Sequence, residues 1–168
     1  MGTYEHKKDA PKRLKIGIIS VSSSRTIETD KSGLWIKKGA GKEGHEVVFH
    51  RVVKDEISII LQALRDSIRI NGVQALLITG GSGISEMDVT IEAVQPMFEK
   101  ELTAFSSIFA QLSFEQIDSA AILSRATAGI IENTAVFCMP GSIKACKLAC
   151  RDLIFPELGH IVRHLKIG

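Results

Sequence analysis

Two kinds of segment alternate along this chain: short, almost continuous apolar runs, and longer stretches in which apolar residues recur every three or four positions. The first kind predicts strands buried on both faces, the second amphipathic helices packed over them. Leu14 to Val21 (LKIGIISV) is such a strand, followed by the polar loop Ser22-Ser23-Ser24-Arg25-Thr26. Asp30-Lys31-Ser32-Gly33 supplies capping residues for a helix from about Leu34 to Glu43. Gly39 and Gly41 weaken that helix by up to about 1 kcal/mol each. Gly44-His45 leads into a second strand near Glu46 to Val53. After Asp55, residues Ile57, Ile60, Leu61, Leu64 and Ile68 share one helical face, and Asn71-Gly72 ends it.

A third strand, near Gln74 to Thr79, runs into a glycine-rich turn and a helix reaching about Glu99. Glu101 to Gln111 (ELTAFSSIFAQ) has no regular period and reads as a small excursion from the sheet. Glu115 to Arg125 reads as helical, with Ser113 and Gln116 as a capping box. Thr134 to Met139 (TAVFCM) is another buried strand, ending in Pro140-Gly141-Ser142. Ile143, Cys146, Cys150 and Leu153 mark one face of the following helix. A last helix starts near Pro156, since proline is tolerated in a first turn.

Strands alternating with helices predict an α/β fold with a mainly parallel sheet covered on both faces. Ligands in such folds bind beyond the carboxyl ends of strands, which brings forward three loops: Ser22 to Arg25, Gly80 to Ser85 and Pro140 to Ser142. The chain is 168 residues long, enough for one full hydrophobic core, and no repeat or linker divides it. Residues 1–13 (MGTYEHKKDAPKR) read as a polar, flexible tail or assembly strap, leaving 14–168 as the domain.

Composition narrows the function by exclusion. A net charge of only +2, with both signs scattered, argues against nucleic acid or an anionic membrane as partner. No stretch approaches the ~18 apolar residues of a membrane span, and the amino terminus lacks a signal-peptide core. Three cysteines (Cys138, Cys146, Cys150) cannot all pair with one another and form no CxxC motif, which suits a reducing cytoplasm.

The chemistry concentrates in Thr79-Gly80-Gly81-Ser82-Gly83-Ile84-Ser85-Glu86-Met87-Asp88-Val89-Thr90. Three glycines in four residues at a strand end let backbone N–H groups approach an anion, and the helix start adds partial positive charge. Walker A is excluded because Ile84-Ser85 stands where Lys-Ser/Thr is required. The dinucleotide fingerprint is excluded because Glu86 occupies its last position. Asp55 and Asp88 each follow a predicted strand and open a helix, so each reads in two ways. As an N-cap, an aspartate is worth about 1 kcal/mol, and for either acid alone this is the favoured reading. As a hard oxygen ligand, it would hold Mg²⁺ on a nucleotide's phosphates. Asp30 poses the same choice; Ser22, Ser24, Arg25 and Ser142 are candidate donors to phosphate, although lone loop serines and an exposed arginine are usually just solvated. His160 and His164, one helical turn apart, do not form HExxH, and no GxSxG nucleophile elbow occurs.

Thr79-Gly80-Gly81-Ser82-Gly83 followed by Asp88-Val89-Thr90 and Glu92-Ala93 closely resembles the TGGTGxxxxDVTxEA signature of molybdopterin-binding proteins. That family includes molybdopterin adenylyltransferase and molybdenum cofactor biosynthesis protein B. The resemblance extends through Asp30-x-Ser32-Gly33, Gly44-His45-Glu46-Val47, Val53-Lys54-Asp55, Leu123-Ser124-Arg125-Ala126, Met139-Pro140-Gly141-Ser142 and Pro156-Glu157-Leu158-Gly159-His160. It covers nearly the whole chain in order. Glu5-His6-Lys7 and Val21-Ser22-x-Ser24-Arg25 are similar to the protein B branch.

The resemblance implies a three-layer α/β/α fold with a small β-rich excursion, assembled as a trimer or as a hexamer of two trimers. It implies molybdopterin and ATP as substrates, Mg²⁺ as cofactor, transfer of AMP to the pterin's terminal phosphate, and release of pyrophosphate. Asp55 and Asp88 fall on the family's functional aspartates, as catalytic and metal-binding residues. Ser22, Asp30, Ser32, Gly33, Thr79, Gly80, Gly81, Ser82, Gly83, Pro140, Gly141 and Ser142 fall on its ligand-binding positions. Other proteins of molybdenum cofactor biosynthesis are implied partners, and the place is the cytoplasm. Ser82 replaces the family's threonine, Met87 and Ala110 stand where arginine is common, Ala104 where glycine is, and Ser23 where aspartate is frequent. A rival reading is a non-catalytic member that binds the pterin or serves assembly; a more distant one is an unrelated nucleotide-binding module.

Overall fold

A computed structural model describes residues 10–70 and 72–167. The expected runs become β1 (Lys15–Val21), β2 (Glu46–Val53), β3 (Ala75–Thr79) and β6 (Thr134–Met139), parallel neighbours in the order β2-β1-β3-β6. Two shorter strands, β4 (Lys100–Glu101) and β5 (Thr127–Ile131), extend the β6 edge antiparallel, giving the full order β2-β1-β3-β6-β5-β4.

Alternation along each strand sends side chains to two separate cores. Ile16, Ile18, Leu77 and Phe137 face one, with Ile36, Phe105, Phe109, Cys146, Cys150 and Leu158. Ile19, Val21, Leu76, Ile78 and Val136 face the other, with Ile60, Leu64, Ile91 and Val94. The first core lies under α1 (Lys31–Lys42), α4 (Thr103–Ile117), α5 (Ile143–Leu148) and α6 (Phe155–Ile167). The second lies under α2 (Ile57–Ile68) and α3 (Thr90–Val94). The fold is therefore a three-layer α/β/α sandwich with a mixed, mainly parallel sheet.

Several expectations are corrected. Glu101 to Gln111 is not an irregular excursion: Glu101 ends β4 and the 15-residue helix α4 follows from Thr103, because Phe105 and Phe109, four apart, bury against Phe137 and its neighbours. Phe105 packs edge-on against Phe137 at a ring separation of 5.4 Å. Ser113 is consequently buried inside α4 rather than capping a new helix, and the expected helix to Arg125 stops at Ile117 and continues as 3₁₀ turns, Asp118–Leu123. The β-rich excursion lies instead at β4–β5–β6, where Glu132 (φ 45°) and Asn133 (φ 60°) make the tight two-residue turn of a hairpin.

Pro156 does not open a separate helix. α5 runs through a π-helical turn, Ala149–Ile154, directly into α6, and this wider turn precedes the residue that has no N–H to donate. Cys146 and Cys150 are buried core thiols. Of the expected tail, residues 1–9 lie outside the described residues, as does Asn71 of the expected Asn71-Gly72 helix stop; Ala10 and Pro11 lie against Gly159 of α6.

Candidate active site

Parallel β1, β3 and β6 end together, so the loops after them meet at one sheet edge. They enclose a cleft of about 520 Å³, within the range of small-molecule sites. Of the expected ligand positions, Ser22, Gly80, Gly81, Ser82, Gly83, Pro140 and Gly141 line it, together with Asp55 and Asp88; Ser23, Ser24, Arg25 and Met87 complete the wall.

The glycine loop requires its glycines. Gly80 (φ 94°) and Gly81 (φ 62°) are in the left-handed region. A Cβ on Gly80 would strike the Val21 carbonyl oxygen, and one on Gly81 the Thr90 hydroxyl. Thr90, at the start of α3, holds the loop twice: its hydroxyl donates to the Gly80 carbonyl (2.8 Å) and its N–H to the Gly81 carbonyl (2.9 Å). Among the described residues, the N–H groups of Gly81 and Ser82 donate to no acceptor. The Ser82 hydroxyl, 2% exposed, also has no partner there. A glycine-rich loop with unsatisfied donors at the edge of a cleft suits an anion.

The cap reading favoured for either acid alone is corrected for both. α2 has Glu56 at its N-cap and α3 has Val89, neither with a side-chain capping bond. Asp55 instead accepts from the Ser23 hydroxyl (2.8 Å), which in turn accepts the Asp55 N–H (3.2 Å). Asp88 reaches backward to accept both the N–H (2.9 Å) and the hydroxyl (2.7 Å) of Ser85. The Ser85 hydroxyl, the backbone amides of Ser85 and Gly83 and the Arg125 charge hold the Asp88 carboxyl below its ordinary range, so it is ionised at neutral pH. The two carboxylates flank the glycine loop: a Cβ on Gly81 would lie 3.3 Å from Asp55 Oδ1, and one on Gly83 2.7 Å from Asp88 Oδ2.

Asp30, Ser32, Gly33, Thr79 and Ser142 do not line the cleft but stand one layer behind it. Asp30 is fully buried and is a helix cap, accepting the Gly33 N–H (3.1 Å). Its other oxygen meets His50 Nε2 at 2.7 Å, and Arg25 lies 3.8 Å away. Burial alone would raise the Asp30 pKa, but hydrogen bonds from Ser20, the Gly33 amide and His50 outweigh it and lower it. Ser142 caps α5 through the Ala145 N–H (3.1 Å).

The Pro-Gly turn is held from behind through its carbonyls. Thr79 Oγ1 donates to the Pro140 carbonyl (3.1 Å), and Ser32 Oγ to that of Gly141 (2.7 Å). Arg25 Nη1 adds a longer bond to Gly141 (3.4 Å), which places the one cation among the lining residues at the cleft wall.

Among the described residues no cluster of three His, Cys, Asp or Glu side chains could hold a metal ion. Asp55 and Asp88, both lining the cleft, offer hard oxygen atoms of the kind that suit Mg²⁺ when substrate phosphates supply the other ligands. No helix among the described residues is long and apolar enough to cross a membrane. Met87, 58% exposed, is the only one of the three arginine- or glycine-replacing positions at the cleft; Ala104 and Ala110 are exposed on α4. Two contributors escaped the sequence reading as site residues: Ser23, which carries no motif, and Arg125, visible only inside the Leu123-Ser124-Arg125 stretch.

The comparisons with known proteins agree with this fold. Residues 17–160 match the family described as the probable molybdopterin binding domain. The chain is 46% identical over 167 residues to molybdenum cofactor biosynthesis protein B of Bacillus subtilis, covering 99% of this chain and 98% of that protein. It is 40% identical over 172 residues to the molybdopterin adenylyltransferase of Pyrococcus furiosus, covering 99% of both. A crystal structure of a molybdenum cofactor biosynthesis protein B superposes with a TM-score of 0.92 at 42% identity, covering 95% of this chain and 99% of that one. The signature loop, the fold and the full-length similarity converge, and the chain belongs to the molybdopterin-binding domain family.

Proposed function

We propose that this protein acts in molybdenum cofactor biosynthesis as a molybdopterin adenylyltransferase. It transfers AMP from ATP to the terminal phosphate of molybdopterin and releases pyrophosphate. The observation that carries the reading is the pair Asp55 and Asp88, on two different loops, facing one glycine-lined cleft without capping any helix. The name of the Pyrococcus furiosus relative points the same way.

A phosphate monoester dianion is already a nucleophile at neutral pH, so no general base is needed. The new bond forms between a pterin phosphate oxygen and the α-phosphorus of ATP; the bond from that phosphorus to the β-bridging oxygen breaks, and pyrophosphate leaves with its electron pair. The protein's share of the work is alignment and charge stabilisation. The Gly81 and Ser82 N–H groups and the Ser82 hydroxyl donate to phosphate oxygens, and Arg25 offsets negative charge from the opposite wall. Asp55 and Asp88 would hold Mg²⁺, which would supply positive charge to screen repulsion between the two phosphates. Met87 places a polarizable, apolar side chain at the rim, suited to contact with a flat ring.

Self-association belongs to the same proposal. The turn after α4 and the adjoining part of that helix expose Phe114 (56%), Ile117 (41%), Ile122 (86%) and Leu123 (54%), an apolar surface of the kind that marks interfaces. Its occupant is a second copy of this chain.

The test is incubation of the purified protein with molybdopterin, Mg²⁺ and labelled ATP, following label into the pterin and release of pyrophosphate. Adenylylated pterin is the expected product. Pterin binding without label transfer would favour the non-catalytic rival and overturn the enzyme assignment.

A further inference from the structure

Every carbonyl of the glycine loop is hydrogen-bonded from behind, and two of the four are held by one residue outside the cleft. Thr90 takes the carbonyls of Gly80 and Gly81. Arg125 Nε donates to both of the next two, Ser82 and Gly83, at 3.0 Å each. The rest of its guanidinium faces Glu92, with Nη1 donating to Oε1 (2.6 Å) and Nη2 to Oε2 (3.3 Å). Glu92 lies on α3, the same short helix that begins with Thr90. Arg125 lies just before β5, in the antiparallel part of the molecule, and is not among the residues that line the cleft.

We infer that Arg125, braced by Glu92, is a positioning residue that clamps the glycine loop by its carbonyls, and this inference rests on the cleft being the phosphate-transfer site proposed above. With all four carbonyls engaged, the peptide planes of the loop are held in one orientation, and the Gly81 and Ser82 N–H groups remain available to an anion. The clamp needs a guanidinium. One planar group must present Nε to two carbonyls along one edge and both Nη atoms to a carboxylate along another, which an ammonium cannot do. Glu92 sets the angle of that plane through its two-point contact. The Arg125 positive charge also stands near Asp88, and Glu92 partly neutralises it, so the geometry rather than the net charge is the specific element.

The test compares Arg125→Lys, Arg125→Gln and Glu92→Gln in the AMP-transfer assay, with thermal unfolding and backbone NMR of the loop alongside. All three variants should keep a midpoint within a few degrees of the parent. Arg125→Lys and Arg125→Gln should both lose about 10- to 100-fold in kcat, the scale of a misplaced phosphate site, with the KM for molybdopterin changing less. Glu92→Gln should fall between them and the parent. In the loop, order parameters for Gly81, Ser82 and Gly83 should drop from about 0.85 toward about 0.6.

Restoration of parent turnover by Arg125→Lys would overturn the clamp in favour of charge alone. Unchanged loop order parameters in Arg125→Lys would overturn it as well, and that readout holds whether or not the parent transfers AMP. If Arg125→Gln fails to fold, Arg125→Lys and Glu92→Gln decide the matter. An inactive parent with a loop that loosens in the variants would sink the adenylyltransferase reading and leave the clamp standing.

Discussion

The parallel half of the sheet and its antiparallel edge answer to different constraints. In β2-β1-β3-β6 the strands are buried on both faces, or half-buried in edge strand β2, and their carboxyl ends carry the loops of the cleft. At the β5–β4 edge the strands are five and two residues long, the packing is supplied by α4, and none of the cleft-lining residues comes from them. Yet this edge sends Arg125 back to the glycine loop. On the proposed function, chemistry sits in one half while the orientation of its anion cradle depends on the other.

The largest effect should come from loosening the edge. Phe109, 1% exposed, anchors α4 against the sheet, and Phe109→Ala should cost about 3–5 kcal/mol in denaturant unfolding. A loss below about 1 kcal/mol would mean α4 is not part of the cooperative core.

Next comes the support behind the cleft. Asp30→Ala removes a helix cap and strands His50 in the interior, at about 3 kcal/mol. Because the folded Asp30 pKa lies below the ordinary 3.8, its contribution is fully present above that value. It disappears as pH falls through the lowered folded pKa. The stability gap between parent and variant should therefore shrink as pH falls below about 4. A gap that does not shrink in that acid range would contradict the pairing.

The smallest effect on the single chain should come from the outward side of the α4 region. Ile122, 86% exposed, touches little, so Ile122→Ser should change subunit stability by no more than about 0.5 kcal/mol. In sedimentation it should shift the protein from an oligomer toward monomer. A parent protein that is already a clean monomer at micromolar concentration would remove the interface from the account.

The same contrast explains what the sequence made legible. Leu14 to Val21, Glu46 to Val53, Gln74 to Thr79 and Thr134 to Met139 announced themselves as strands because burial on both faces demands continuous apolar runs, and the three loops followed from their order. α4 did not, because apolar residues lie on two of its faces: Phe105 and Phe109 inward, Ile108, Phe114 and Ile117 outward. A helix with two apolar faces shows no single stripe, so its period was lost. β5 was missed because Thr127–Ile131 begins with small residues, and Glu132-Asn133 is not the Asn-Gly pair that signals a hairpin.

At the site, the glycine loop and both acids were legible from local spacing, and the family resemblance supplied their role. What was hidden is what spans distance. Ser23 reaches Asp55 across 32 positions and Arg125 reaches Ser82 across 43, and neither carries a local pattern. Asp30 is the converse case: the sequence offered it as a helix cap or a ligand, and the structure shows it fully buried as the cap of α1, with Arg25 beside it.

The claim that Asp55 and Asp88 are chemical groups rather than helix caps is tested most directly by AMP transfer and thermal unfolding measured together on Asp55→Asn and Asp88→Asn. Each variant should lose transfer by about 100-fold or more while its midpoint stays within about 2–4 °C of the parent. A variant that retains transfer, or whose transfer falls only in step with the folded fraction, would contradict it.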